Sequence, residues 1–180
     1  MRAAILLAAG TSRRFGHRDK LGERLGTRSL LDYALANARA SGACRVILVS
    51  NRPRRTIGVT HVRIRRACDG LSASLAAGLA ALRPIEREAL IFLADMPFAR
   101  ARRLRLPGRA EAARPQFEGR PGHPVLVRVQ SARRRLATGD KGLAGALRTA
   151  LVPGTAENLF DVDAPADLRR ARRWRASRVG

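Results

Sequence analysis

The run Ala3-Ala4-Ile5-Leu6-Leu7-Ala8 breaks at Ala9-Gly10 and is followed by Thr11, Ser12, Arg13 and Arg14, with Asp19-Lys20-Leu21 just beyond. An unbroken apolar run of this length that ends in a small-residue turn reads as a strand buried on both faces. Glycine at the turn lets the backbone approach a ligand, and the N–H groups that follow can bind anionic oxygens. Arg14 has the fork geometry for phosphate oxygens, and Lys20 supplies a compact point charge. Neither GxxxxGK[ST] nor GxGxxG occurs here, so the loop is not a Walker A loop or a dinucleotide fingerprint.

Similar apolar runs alternate with helical patterns along the chain. Gly22 to Thr27 reads as a turn, and Ser29 with Asp32 forms a capping-box start for a helix that carries Leu30, Leu31, Ala34, Leu35 and Ala38 and ends near Gly42. Arg45 to Ser50 is a second buried strand and Val59 to Ile64 a third. Gly70 opens a helix with Leu71, Leu75, Leu79 and Leu82 on one side. Ala89 to Ala94 is another strand, ending on Asp95-Met96-Pro97. The arginine-rich stretch 98–114 shows no clear apolar period. Val125 to Val129 reads as a strand, Leu143 to Leu151 as a short helix, and Leu159 to Val162 as a last strand before a helix opened by Pro165. This order predicts an α/β fold with a mostly parallel sheet, and 180 residues suit a single domain over 1–180.

In parallel sheets, ligands bind beyond the carboxyl ends of the strands. Gly10, Asn51 and Asp95 each follow a different apolar run and so fall on that edge. Asp95 is placed to hold Mg²⁺ against a triphosphate, or else to cap a helix; Asp163, before Ala-Pro, has the same two readings. Mg²⁺ usually takes one or two protein carboxylates and leaves its other positions to phosphate and water, so this pair suffices. Gly70 and Ser74, at the start of a helix, are positioned for a base or ribose or for simple capping. Asn51 could meet a base edge or form a turn. His123, between Gly122 and Pro124, could contact a substrate or be a turn residue. No nucleophile triad emerges, and a phosphate acceptor needs none: with a second pKa of about 6 it is largely ionised at neutral pH.

The net charge of +22 raises the question of nucleic acid. Of 36 basic residues only Lys20 and Lys141 are lysines, and the arginines are spread along the whole chain. Aromatics make up 4% of the chain, too few for base-stacking platforms, so the charge implies salt-sensitive polyanion binding and no specific nucleic-acid partner. Cys44 and Cys68 lack metal or redox spacing and read as reduced core thiols. No run is long enough to span a membrane, and Met1-Arg2 with the following apolar residues reads as a strand in preference to a signal peptide. A cytoplasmic protein is expected.

The segments LAAGTSRRFG, DKL, GLSAS, LADMP, GRPGHPVLV, GDKG and FDVDAPADL, in this order, resemble MobA-like nucleotidyltransferases, most closely the molybdenum cofactor cytidylyltransferases. The resemblance implies a Rossmann-like three-layer sandwich and transfer of CMP from CTP to the phosphate of molybdopterin, with Mg²⁺ and release of pyrophosphate. It sets Ala8, Ala9 and Gly10 against the nucleotide, Arg14 and Lys20 on its phosphates, Asp95 and Asp163 on the metal, and His123 on the acceptor side. Ser12 joins the nucleotide-binding residues through the joint spacing of LAAG, Ser12, Arg14, Gly16 and Lys20. A molybdoenzyme or its chaperone would receive the product. LAAG favours the cytidylyl branch, whereas Ser50-Asn51-Arg52 looks more like the guanylyl branch, so CTP, GTP and another phosphorylated acceptor all stay open. The segment between LADMP and GRPGHPV is shorter than is usual in the family, which keeps a non-catalytic nucleotide- or cofactor-docking paralogue in view.

Overall fold

The structure, a computed structural model, describes residues 1–10, 13–16, 18–54, 56–64, 70–101, 104–136, 143 and 145–177. Its elements are β1 (Arg2–Leu7), β2 (Arg24–Leu25), β3 (Arg28–Ser29), α1 (Leu30–Arg39), β4 (Val46–Ser50), β5 (Thr60–Arg63), α2 (Gly70–Ala80), β6 (Glu88–Leu93), β7 (Ala112–Phe117), β8 (Arg120–Pro121), β9 (Val125–Arg128), α3 (Val129–Arg135), β10 (Thr149–Pro153) and α4 (Pro165–Ala176). Short 3-10 turns cover Arg13–Phe15, Lys20–Gly22 and Ala156–Asn158.

The main sheet runs in the order β10-β7-β9-β6-β1-β4-β5, with β8 paired to β7. β1 lies parallel to both β4 and β6, β4 to β5, and β7 to β10, while β9 runs antiparallel to β6 and β7. The sheet is therefore mostly parallel. Alternate residues of β1 explain its three layers. Ala4 and Leu6 pack with Leu31, Leu35 and Ala38 of α1, whereas Ala3, Ile5 and Leu7 pack with Leu75 and Leu79 of α2 and Ala132 of α3. A third cluster joins Phe15, Leu25 and Leu30 to Phe160, Leu168 and Ala171, which seats α4 beside the first loop. Contact of α2 with the sheet is close: a Cβ on Gly78 would stand 2.6 Å from Ile5 Cγ2.

Local expectations hold at several points. Ser29 and Asp32 form the reciprocal capping box of α1, and the buried face of that helix is the expected one. Pro165 stands in the first turn of α4. Along α2, Leu75 and Leu79 are buried but Leu71 is exposed. Other expectations are corrected. None of the described residues of 143–151 is helical; Thr149–Pro153 is an edge strand beside β7. Leu159 to Val162 is not a strand: Leu159 closes the Ala156–Asn158 turn with helical backbone angles and the next residues have no regular structure, while Val162 N–H donates to the Asp95 carbonyl at 3.0 Å. In the unreadable stretch 98–114 the described residues are coil and turn until β7 begins at Ala112, and Pro115 of that strand lies beyond the residues paired with β9. Cys44 is exposed in the turn before β4, not a core thiol. Cys68, Lys141 and the rest of the GDKG motif lie outside the described residues.

Candidate active site

Leu7 is in register with Val49 on one side and Leu93 on the other, so the loops after β1, β4 and β6 leave the sheet from a single row. Ala8 N–H donates to the Val49 carbonyl at 2.8 Å and Ala94 N–H to the Leu7 carbonyl at 3.0 Å, extending that row by one step. Ala8 and Ala9 are buried, while Gly10 is exposed, and a Cβ built on it would meet nothing within 4 Å. Among the described residues, no packing requires glycine there. Asn51 follows β4 half-buried at the same edge. α2 crosses over between the parallel strands β5 and β6, so it starts at this edge too, with Gly70 at φ +79°. Ser74, one turn on, is buried and its hydroxyl donates to the Gly70 carbonyl at 3.4 Å. That bond satisfies the hydroxyl within its own helix.

Three charged side chains converge beyond this row. Lys20 is buried, and its Nζ donates to Asp95 Oδ2 at 3.0 Å and to Asp163 Oδ1 at 3.2 Å. Burial opposes the charge on this ammonium, but Asp95 and Asp163 outweigh it and hold the pKa above the ordinary lysine value. The bond from Val162 N–H to the Asp95 carbonyl draws the two aspartate segments together. Arg14 reaches Asp163 more loosely, at 3.9 Å, with both side chains largely exposed. Partial desolvation of its carboxyl by the surrounding loops, together with the neighbouring charge of Asp163, raises the pKa of Asp161. Asp163 does not cap α4 with its side chain; Asp167 instead accepts from the N–H groups of Asp163 and Ala164. Ser12 lies outside the described residues.

His123 stands two residues before β9, whose Val125 faces Ile91, and so belongs to the same edge of the sheet. Burial, helped by the charge of Arg114, lowers its pKa to about 4, and its buried Nδ1 has no hydrogen-bond partner among the described residues. His123 and Arg114 are polar groups on the wall of an otherwise largely aliphatic cavity of about 430 Å³, bounded also by Leu7, Leu75, Ile91 and Val127.

Sequence reasoning missed the residue that joins these parts. Asn158 is buried; its side-chain N–H groups donate to the carbonyls of His123 at 2.7 Å and Arg100 at 3.1 Å, and its backbone carbonyl accepts from His123 N–H at 2.9 Å. Asn158 lies in a polar turn, where nothing in the local pattern separates a structural asparagine from a solvated one. Arg114 was hidden in the same way among many arginines. Its Nε donates to the Gly122 carbonyl at 3.0 Å.

Chemically, the two carboxylates form a hard oxygen donor set suited to a small divalent cation. Among the described residues no third His, Cys, Asp or Glu joins them to complete a metal cage. A cation held there would draw its other ligands from phosphate and water, as Mg²⁺ characteristically does. No described helix is long and apolar enough to cross a membrane.

The sequence matches the MobA-like NTP transferase domain over residues 4–155. A search of curated proteins finds no match. Among solved structures, the chain is 26% identical to the Mycobacterium sp. strain JC1 homologue of Mycobacterium tuberculosis Rv0371c, with a TM-score of 0.83 over 99% of this chain and 98% of that one. The same fold appears in the 2-C-methyl-D-erythritol 4-phosphate cytidylyltransferase of Thermus thermophilus, with 21% identity, TM-score 0.72 and coverage of 97% and 98%. It appears again in the molybdopterin-guanine dinucleotide biosynthesis protein A of Archaeoglobus fulgidus, with 17% identity, TM-score 0.69 and coverage of 98% and 100%. With a charged centre at the carboxyl edge of a mostly parallel sheet and a domain match over most of its length, the chain belongs to the MobA-like NTP transferase family and is a nucleotidyltransferase.

Proposed function

We propose that this single domain transfers CMP from CTP to the phosphate of molybdopterin and releases pyrophosphate, using Mg²⁺. The observation that supports this reading best is the shared bond of Lys20 Nζ to Asp95 and Asp163, beside the loop that Gly10 begins. In this reading Ala8, Ala9, Gly10 and Ser12 lie along the nucleotide, and the unobstructed space at Gly10 admits it. Asn51 meets the base, and Gly70 and Ser74 mark the ribose side. Arg14 and Lys20 neutralise the triphosphate, Asp95 and Asp163 hold the metal, and His123 lines the acceptor side as a neutral imidazole.

An oxygen of the acceptor phosphate attacks the α-phosphorus. A new P–O bond forms, the bond from the α-phosphorus to the bridging oxygen breaks, and its electron pair leaves with pyrophosphate. The acceptor is already ionised, so no general base is required. This chain aligns the two phosphates and compensates charge on the leaving group through Arg14 and Lys20. Mg²⁺, when bound, adds Lewis-acid neutralisation of the phosphate oxygens.

The test is pyrophosphate release with each of the four NTPs, with and without a phosphorylated pterin acceptor. Release confined to CTP and dependent on the pterin supports the reading. Release confined to GTP would follow the Ser50-Asn51-Arg52 signal to a guanylyltransferase. Nucleotide binding without release would make the chain a docking paralogue.

A further inference from the structure

Past Asn51, the loop after β4 carries Arg54, whose side chain is 12% exposed and forks onto the carboxylate of Asp19. Nη1 meets Oδ2, and Nη2 donates to Oδ1 at 3.1 Å. The same carboxylate accepts the N–H of Leu21 at 3.2 Å, capping the 3-10 turn that starts at Lys20. Burial alone would raise the pKa of Asp19, yet the hydrogen bond and charge of Arg54 outweigh it and lower the value. At its other end the loop is tied to the sheet. The buried Ser50 hydroxyl donates to the Arg52 carbonyl at 2.6 Å, so the contact of His61 Nε2 with Ser50 Oγ at 2.7 Å has the ring N–H as donor.

An exposed ion pair between two loops contributes little. This one is largely shielded and bidentate, and its acid also caps the turn of the lysine that faces Asp95 and Asp163. We infer that Arg54 is a positioning residue for nucleotide binding: through Asp19 it sets the backbone of Lys20, so that residues 51–54 after β4 and the turn at 19–22 form one seat for base and phosphates. Arg54 touches no substrate in this arrangement. The inference rests on the nucleotide reading of the site above.

Two measurements test it. In the nucleotide-free protein, Arg54→Ala should remove hydrogen-exchange protection from the amides of Leu21, Gly22 and Glu23 and leave those of β4 protected. In turnover, Arg54→Ala should raise KM for the NTP about tenfold and leave KM for the acceptor unchanged, a split that loss of folded protein does not produce. Arg54→Lys keeps the charge but not the fork and should fall between wild type and alanine. Adding Asp19→Asn to Arg54→Ala should cost nothing beyond the worse single variant. Unchanged protection at 21–23 overturns the inference, as do additive effects or an unchanged KM for the NTP. If the wild type turns over no NTP, the reading of the site fails and the exchange measurement alone decides whether Arg54 holds the turn.

Discussion

Asp95 and Asp163, far apart in the chain, accept hydrogen bonds from one ammonium, that of the buried Lys20. A divalent cation held by both carboxylates would occupy space that this ammonium now faces, and the two cations repel. Replacing Lys20 with methionine keeps an apolar stem of similar length and removes the charge. Mn²⁺ should then bind the nucleotide-free protein about tenfold more tightly, a difference of about 1.4 kcal/mol, even as turnover falls. Electron paramagnetic resonance titration reads the first effect and pyrophosphate release the second. Weaker Mn²⁺ binding in Lys20→Met would show that the carboxylates are not a metal site in competition with the lysine.

Asp95→Ala should abolish turnover, a loss of about a thousandfold or more for about 4 kcal/mol of transition-state stabilisation. The same variant should leave binding to duplex DNA unchanged, because the charge of +22 is spread along the chain and acts through phosphates. That residual affinity should collapse between low and moderate salt. A normal rate in Asp95→Ala, or DNA binding that depends on Asp95, contradicts the assignment.

The strands were legible where the chain is buried on both faces. β1, β4 and β6 are unbroken apolar runs, and each is followed by a polar landmark at the edge where ligands bind in parallel sheets. Partial burial hid the rest. β10 alternates exposed and half-buried residues along an outer position, so Thr149–Pro153 has no run to find, and the preceding Gly-Ala-Leu reads as helix. β7 contains Pro115 and two alanines, which argue against a strand until it is seen that the β9 pairing stops at Ala113, so that Pro115 is paired in register only with Val152 of β10. Lys20, Asp95 and Asp163 were each identifiable singly by type and place. Their meeting depends on the bond between Val162 and Asp95, which no local pattern encodes.

His123 makes stability depend on pH. Its native pKa is about 4 against an ordinary 6.5, so the native state resists a proton that the unfolded chain accepts. Above about pH 6.5 neither state binds it and there is no penalty; as pH falls towards 4, stability is lost at a limiting slope of about 1.4 kcal/mol per pH unit. Urea midpoints of wild type and His123→Gln at pH 7 and pH 5 check this. The difference should shift against the wild type at pH 5, and an equal difference at both values would remove His123 as the source.

Asn158 should matter more as a donor than as a volume. Its side-chain N–H groups hold the carbonyls of His123 and Arg100, and its Oδ1 accepts from Thr155 N–H at 3.0 Å. Alanine strands these groups and should cost about 2–4 kcal/mol. Aspartate is nearly isosteric but presents an anion to two carbonyl oxygens, so Asn158→Asp should be the worse variant at neutral pH. Gly122→Ala attacks the same junction from the other side, since its Cβ would lie 2.3 Å from the Asn158 carbonyl oxygen, a backbone atom that must shift. All three substitutions should lower thermal midpoints, and in the residual folded protein they should raise KM for the acceptor above KM for the NTP, because the junction holds His123. Equal stability of Asn158→Asp and wild type would mean that the Asn158 side chain does not join the two carbonyls in solution.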